Sequence, residues 1–197
     1  MKKILITRKL IKSSEEYATS IFDVKLNKED RVLTKDDVIS QSNDCDGILT
    51  SLTEKLDVDT ISKLSGKIKI ISNFAVGVGN IDLDAAKKRN IVVTNTPDVL
   101  TDATAEIAIL VLLGAARRAK EGMEWANKKN WKWSADFLMG KQLTGSRLGI
   151  LGMGRIGRAV ADRARSFGMK IHYYNRSRLD KNLEKDAIYH KSLESLL

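Results

Sequence analysis

A glycine-rich turn between a predicted strand and a predicted helix constrains the fold more than any other feature of this chain. Residues Arg147–Leu151 (RLGIL) are typical of a buried strand, and Arg158–Phe167 is predicted to be a helix. The hexapeptide between them is Gly152-Met153-Gly154-Arg155-Ile156-Gly157. In such a unit the glycines allow a tight turn, a close approach of backbone to a pyrophosphate, and packing of helix on strand. The pattern predicts that these six residues bind a dinucleotide; the alternative is a glycine turn that serves packing alone.

The residues after the next predicted strand bear on which dinucleotide would bind. That strand, Lys170–Tyr174, is followed by Asn175-Arg176-Ser177-Arg178, with no acid at the position that usually accepts hydrogen bonds from the adenosine ribose. Arginine can bind a 2′-phosphate through charge-assisted hydrogen bonds, which an acid would repel. The four residues therefore favour NADP(H), while NAD(H) stays possible. The alternative is that both arginines are ordinary surface residues.

Short apolar strands alternate with helices through the first half of the chain. Strands are predicted at Lys3–Thr7, Gly47–Thr50, Lys67–Ser72 and Ile91–Thr94, and helices at Ser14–Phe22, Lys35–Gln41, Asp57–Leu64 and Asp82–Lys88. Such an alternation is typical of an α/β fold, in which helices cover both faces of a parallel sheet.

The only proline, Pro97, follows the last of these strands and marks a predicted domain boundary near residue 98. The next segment, Thr101–Arg118, is apolar around nearly its whole circumference, which predicts a long helix buried on all sides between two domains. Three tryptophans, Trp125, Trp131 and Trp133, are predicted to pack at a domain interface rather than to stack on a ligand.

Composition narrows the class of protein. The 197 residues suffice for two small domains, and one cysteine excludes an internal disulfide framework. We expect a cytoplasmic protein that does not associate with membranes, since no signal-peptide pattern opens the chain and its longest apolar block is too short to span a bilayer. The net charge of +9 is spread along the chain without aromatic interleaving, which favours a solvated surface or an anionic ligand over nucleic acid.

Three motifs together resemble the D-isomer-specific 2-hydroxyacid dehydrogenase family, and most of all its glyoxylate/hydroxypyruvate reductase branch. They are the segments Asn73–Asp82 (NFAVGVGNID), Asn95–Glu106 (NTPDVLTDATAE) and Gly152–Gly157 (GMGRIG). The resemblance runs from Lys3 to Leu197 and corresponds to the N-terminal part of the family only.

The resemblance implies a flavodoxin-like substrate domain over residues 1–98 and an incomplete Rossmann-like NAD(P)-binding domain over residues 99–197. It implies that Val76 and Gly77 offer backbone N–H groups to the carboxylate of a small 2-oxo or 2-hydroxy acid, and that Thr104 contacts the cofactor. From the residues alone, residues 75–79 (AVGVG) could be a plain glycine-rich turn, and Thr104 could be a capping or core residue. The family further implies a homodimer of the complete protein.

The family's catalytic histidine, carboxylate and arginine lie C-terminal to the segment that matches Asp186–Leu197. We therefore expect no catalytic residue and no metal site in this chain, and interpret His172 and His190 as structural or surface residues. Two other classes stay open: a non-catalytic dinucleotide-binding regulator or corepressor, and a basic nucleic-acid-binding protein, whose binding would depend steeply on salt.

Overall fold

The computed structural model describes residues 1–128 and 133–197, so that Trp131 lies outside the described residues. These form two compact units, Met1–Val99 and Leu100–Leu197. The first unit contains β1 (Lys3–Ile6), α1 (Lys12–Ile21), β2 (Asp23–Leu26), α2 (Lys35–Gln41), β3 (Gly47–Ser51), α3 (Val58–Lys63), β4 (Ile70–Phe74), α4 (Leu83–Lys88) and β5 (Val92–Thr94). The second contains α5 (Thr101–Ala116), α6 (Ala119–Ala126), β6 (Arg147–Leu151), α7 (Arg155–Ser166), β7 (Lys170–Tyr174), α8 (Lys181–Glu184), β8 (Ile188–His190) and α9 (Leu193–Leu196).

The first unit is built on a parallel sheet with strand order β2-β1-β3-β4-β5. Leu5, Ile48 and Ile71 lie side by side across β1, β3 and β4 and are fully or almost fully buried in one apolar cluster. Removing these side chains from water is the main stabilising contribution to this layer. The α/β architecture with parallel strands that the sequence predicts is confirmed.

The carboxyl ends of β4 and β5 lie at the same edge of this sheet. Ser72 of β4 is aligned with Thr94 of β5, and the Thr94 hydroxyl donates to the Ser72 hydroxyl at 3.0 Å. Asn73 and Asn95 are therefore the next residues along two neighbouring strands. In open parallel sheets, ligands bind beyond the carboxyl ends of the strands.

The second unit is built on a three-stranded parallel sheet with order β6-β7-β8. Its core brings Ile150, Ile171 and Tyr173 of the sheet together with Ala161 and Ala164 of α7. The small alanines let the helix backbone approach the sheet closely. The glycine turn between β6 and α7 lies at the carboxyl end of β6, as the sequence predicts.

The prediction that the long helix is buried on all sides is wrong. Ala105 and Ile109 of α5 are buried, but Ile107, Leu110 and Val111 are about 60% exposed (59%, 63% and 63%). An apolar residue pattern shows which sides of a helix can be buried. Which side is actually buried depends on the elements that pack against the helix. Neither α5 nor any other helix of the described residues is long and apolar enough to cross a bilayer.

Several elements and boundaries differ from the sequence prediction; the strand predicted at Lys67–Ser72, for example, is Ile70–Phe74 in the structure. The strands β2 and β8 and the short helices α6 and α8 are not predicted, because their segments are short and mixed in polarity. Helix α7 begins at Arg155, three residues earlier than predicted, since Gly157 belongs to its first turn. Within the second unit Trp125 packs edge-on against Phe137, with 5.3 Å between ring centroids, and Trp133 is exposed.

Candidate functional site

The first candidate site is the loop between β4 and α4, which contains Val76 and Gly77. Three of its consecutive backbone carbonyls accept hydrogen bonds from the rest of the unit. The Thr96 N–H donates to the Ala75 carbonyl at 3.0 Å, the Asn95 side-chain amide to the Val76 carbonyl at 2.7 Å, and the Asn73 amide to the Gly77 carbonyl at 2.8 Å. The loop backbone is therefore held on one side by donors from the ends of β4 and β5.

The backbone donors of the same loop are unused. Among the described residues, the N–H groups of Val76, Gly77 and Val78 meet no protein acceptor. Gly77 is exposed, and a Cβ built on it would meet nothing within 4 Å. Successive unpaired N–H groups next to open space are the usual arrangement for binding an anion.

A buried polar layer supports this loop from below. Asn73 is fully buried, and its amide also donates to Asn80 Oδ1 at 3.0 Å; Asn80 in turn donates to the Ser51 carbonyl at 2.9 Å and the Glu54 carbonyl at 3.1 Å. The Glu54 carboxylate is 1% exposed and accepts from the Thr7 hydroxyl at 2.7 Å. Buried polar groups that are fully hydrogen-bonded rigidify the structure around them.

Sequence reasoning missed this supporting layer. The asparagines lie in a segment that reads as a turn, and Glu54 lies in a polar stretch typical of a surface. The sequence contains one signal for it. Asn73 and Asn95 both follow predicted strands of a parallel sheet, so their side chains could be expected to meet at the same edge of that sheet.

The second candidate site is the glycine turn of the second unit. Gly152 has a φ of +97°, a conformation that L side chains rarely adopt. A Cβ on Gly157 would lie 2.2 Å from the Gly152 carbonyl oxygen, so this glycine allows α7 to pack against the turn. At Gly154, by contrast, a Cβ would meet nothing within 4 Å.

These three glycines fit a pyrophosphate. Gly154 is the N-cap of α7 and provides no side-chain acceptor for the N–H groups of Ile156 and Gly157, which meet no acceptor among the described residues. No acid lies in that turn, so the positive end of the helix dipole is not neutralised locally. The open space at Gly154 lets a phosphate approach the backbone.

The Asn175 side chain is hydrogen-bonded to the glycine turn. Its side-chain oxygen accepts a hydrogen bond from the Met153 N–H at 2.7 Å, and the Gly152 N–H donates to the Tyr174 carbonyl at 3.0 Å. The structure thus brings the end of β7 and the glycine turn together, as the dinucleotide motif requires.

The two arginines after β7 lie in different environments. Arg178 forms a bidentate ion pair with Glu184, with Nε–Oε1 and Nη2–Oε2 distances of 3.0 and 2.9 Å. Glu184 is buried and also accepts from the Tyr173 hydroxyl at 2.9 Å. The hydrogen bonds from the Arg178 guanidinium have the largest effect on the pKa of Glu184 and lower it. Burial opposes this effect and the Tyr173 hydroxyl adds to it, so that the pKa of Glu184 lies below its usual value. Arg176 is exposed and makes no ion pair with any described residue.

Thr104 lies on the exposed side of α5, which excludes a core role, and the N-cap of that helix is Leu100. Together with Leu151 at the end of β6, it lines an apolar surface groove of about 600 Å³. The structure therefore places Thr104 near the strand that leads into the glycine turn.

The two histidines lie apart from these sites. His172 Nδ1 and His190 Nε2 are 2.9 Å apart, and His190 Nδ1 lies 3.2 Å from the Ser195 hydroxyl. They line a cavity of about 520 Å³ together with Lys141, which precedes β6, and Arg147, the first residue of β6. Burial and the neighbouring His190 lower the pKa of His172. No group of three potential metal ligands occurs in residues 1–128 or 133–197.

Comparison with known proteins identifies the family. Residues 4–191 match the family described as D-isomer specific 2-hydroxyacid dehydrogenase, catalytic domain. The chain belongs to this family. Its members are NAD(P)-dependent oxidoreductases.

Individual relatives agree with this assignment. The chain is 39% identical to a glyoxylate reductase of Thermococcus kodakarensis over 99% of its length and 60% of the relative. It is 41% identical to a glycerate dehydrogenase of Hyphomicrobium methylovorum over 100% of its length and 62% of the relative. A solved NADPH-dependent glyoxylate/hydroxypyruvate reductase of Sinorhizobium meliloti superposes with a TM-score of 0.81 at 30% identity, covering 100% of this chain and 60% of that one. The chain thus spans about 60% of the length of the curated relatives it matches.

Proposed function

We propose that the protein to which these residues belong reduces a small 2-oxo acid, of the glyoxylate or hydroxypyruvate type, to the D-2-hydroxy acid with NADPH. The observation that carries the proposal is the pairing, in one chain, of a loop with unused N–H groups and a glycine turn suited to a pyrophosphate. A 2-oxo acid offers a carboxylate to the first and a dinucleotide offers phosphates to the second.

Each group of residues has a defined part in this proposal. The N–H groups of Val76 and Gly77 bind the substrate carboxylate, with the unused N–H of Val78 as a further donor, and so orient the carbonyl that is reduced. Gly152 to Gly157 and Asn175 hold the dinucleotide backbone, with Thr104 beside it. When bound, the nicotinamide supplies the hydride.

The preference for NADPH rests on the segment after β7. Arg176 is the direct ligand for a 2′-phosphate in this proposal, because its guanidinium has no ion-pair partner among the described residues. Arg178 shapes the segment through Glu184, and Ser177 lies between them as a further donor. The relative from Sinorhizobium meliloti, whose name states NADPH dependence, supports the same preference.

The proton donor is neither of the two histidines in this chain. His172 and His190 are hydrogen-bonded to each other and line a cavity beside the start of β6. The glycine turn lies at the opposite end of that strand. The relatives extend beyond the matched region, and we propose that the proton donor and the arginine that binds the keto group belong to that further part. The protein acts in the cytoplasm as a homodimer in this proposal.

Two measurements test the proposed function. Fluorescence titration of this chain with NADPH and NADH should give tighter binding of NADPH. A steady-state assay of the protein that carries these residues together with the family's catalytic segment should show NADPH oxidation with glyoxylate or hydroxypyruvate. Binding without turnover of any 2-oxo acid would instead favour a dinucleotide-binding regulator.

A further inference from the structure

The carbonyl bonds of the Val76–Gly77 loop determine where its N–H groups point. A trans peptide unit is planar, so the carbonyl of one residue and the N–H of the next point in opposite directions. Fixing the carbonyls of Ala75, Val76 and Gly77 therefore also fixes the N–H groups of Val76, Gly77 and Val78. Each N–H points away from the donor that binds the carbonyl of its own peptide unit.

Two of those three donors are side chains. The Asn95 amide binds the Val76 carbonyl and thereby orients the Gly77 N–H, and the Asn73 amide binds the Gly77 carbonyl and thereby orients the Val78 N–H. The third donor is the backbone N–H of Thr96, which any residue except proline could supply. Of these three donors, only the two asparagine amides depend on residue type.

The register of the sheet explains why two asparagines can do this. Asn73 and Asn95 each follow one member of the aligned pair Ser72 and Thr94, at the carboxyl ends of neighbouring strands. Asn73 reaches the loop from the buried side, where Asn80 fixes its orientation at 3.0 Å. Asn95 reaches it from the exposed side.

We propose that Asn73 and Asn95 are positioning residues for substrate: their amides turn the loop's peptide units so that the N–H groups of Gly77 and Val78 face the carboxylate of a 2-oxo acid. The inference rests on the proposed function, since it assumes that this loop binds the substrate carboxylate. It assigns affinity for the carboxylate to two side chains that need not touch the substrate.

Asn95→Ala is the most informative variant, because Asn95 is exposed and its replacement leaves the core intact. The probe is oxamate, a carboxylate analogue of 2-oxo acids that cannot be reduced. Binding is followed through the amide resonances of Val76, Gly77 and Val78 in ¹⁵N-labelled protein. We expect the dissociation constant to rise about three- to tenfold, the effect of one net hydrogen bond.

Two further variants control for indirect effects. Asn43→Ala removes another exposed asparagine of the first unit, outside the loop, and should leave oxamate binding unchanged. Asn73→Ala should weaken binding at least as much as Asn95→Ala, once its thermal midpoint shows that it is folded at the temperature used. NADPH binding to the second unit should be the same in all variants, which a general loss of folded protein could not produce.

The outcomes separate this inference from the proposed function. If oxamate shifts the three amides in the unmodified protein but Asn95→Ala binds it equally well, the positioning role is wrong and the carboxylate site stands. If oxamate does not bind, or binds without shifting these amides, the carboxylate site is wrong and the positioning role falls with it. Weaker binding in Asn95→Ala with unchanged Asn43→Ala supports both.

Discussion

The two candidate sites leave backbone N–H groups without a protein acceptor by different means. In the second unit the donors are the N–H groups of Ile156 and Gly157 at the start of α7, where helix geometry leaves them without a partner inside the helix. In the first unit the Val76–Gly77 loop lies between β4 and α4, outside any helix, and its carbonyls are held by the amides of Asn73 and Asn95. The role of asparagine is reversed as well, since Asn175 accepts from the glycine turn instead of donating to it.

The two sites should therefore be sensitive to opposite kinds of substitution. A helix N-terminus depends on the absence of side chains, so its critical residues are the glycines. A loop held by side-chain amides depends on the presence of particular side chains. Substitutions should therefore damage the second unit by adding atoms and the first by removing them.

The largest effect is expected from adding a methyl group inside the glycine turn. Gly157→Ala places a Cβ 2.2 Å from the Gly152 carbonyl oxygen, and this backbone contact cannot be relieved by a side-chain rotation. The second unit should lose about 3 kcal/mol of stability, at the upper end for overpacking, as measured by denaturant unfolding.

Gly154 is the matched control in the same turn. Gly154→Val meets open space in the protein, so folding by circular dichroism should be little changed while NADPH binding fails. Normal NADPH affinity in Gly154→Val would place the cofactor elsewhere.

The next effect separates the two arginines after β7. Arg176→Ala should weaken NADPH binding about tenfold or more, by loss of a charged hydrogen bond to the 2′-phosphate, and leave NADH binding little changed. Arg178→Ala should lower the thermal midpoint instead, because it leaves the buried Glu184 carboxylate without its cation. Equal losses of NADPH and NADH in Arg176→Ala would contradict the 2′-phosphate assignment.

A smaller effect is expected at Asn175. Asn175→Ala removes the acceptor of the Met153 N–H and should cost about 1 kcal/mol of stability together with some NADPH affinity. Asn175→Asp keeps an oxygen acceptor at the same place and should be more stable than Asn175→Ala in the same unfolding experiment. If the two variants are equally unstable, this bond does not hold the turn.

The smallest effect is a pH dependence of the second unit. The pKa of His172 is lower in the folded protein than its ordinary value of 6.5, chiefly through burial and then through His190, Arg147 and Lys170. The unfolded chain therefore binds more protons, and the contribution is fully present above about pH 6.5 and is lost as the pH falls through the folded value. The thermal midpoint should be lower at about pH 5 than at about pH 8. This difference should shrink in His172→Gln.

Much of the fold could be predicted from local patterns. The runs at Gly47–Ser51 and Arg147–Leu151 contain enough apolar residues to be identified as strands, but the prediction that the second is buried is wrong, because only Ile150 of its five residues is buried. Asp82 marks the start of α4 because its side chain caps the Ala85 N–H. The short edge strand β2 escaped prediction, since Asp23–Leu26 mixes charged and apolar residues and gains its structure from pairing with β1. The covered side of α5 could not be predicted either, because that helix is apolar around nearly its whole circumference.

The candidate sites, like the fold, were predictable where they depend on neighbouring residues and unpredictable where they depend on contacts between distant ones. The glycine turn could be recognised from sequence alone, because its requirements for a positive φ, close packing and an open approach fall on residues within six positions of one another. Only the tertiary structure decided that Arg178 pairs with Glu184, that Asn175 holds Met153, and that Asn73 and Asn95 meet at one loop. Those contacts join residues that strand register and chain folding bring together, and a hydrogen bond depends on distance and angle in space, which spacing along the chain does not specify.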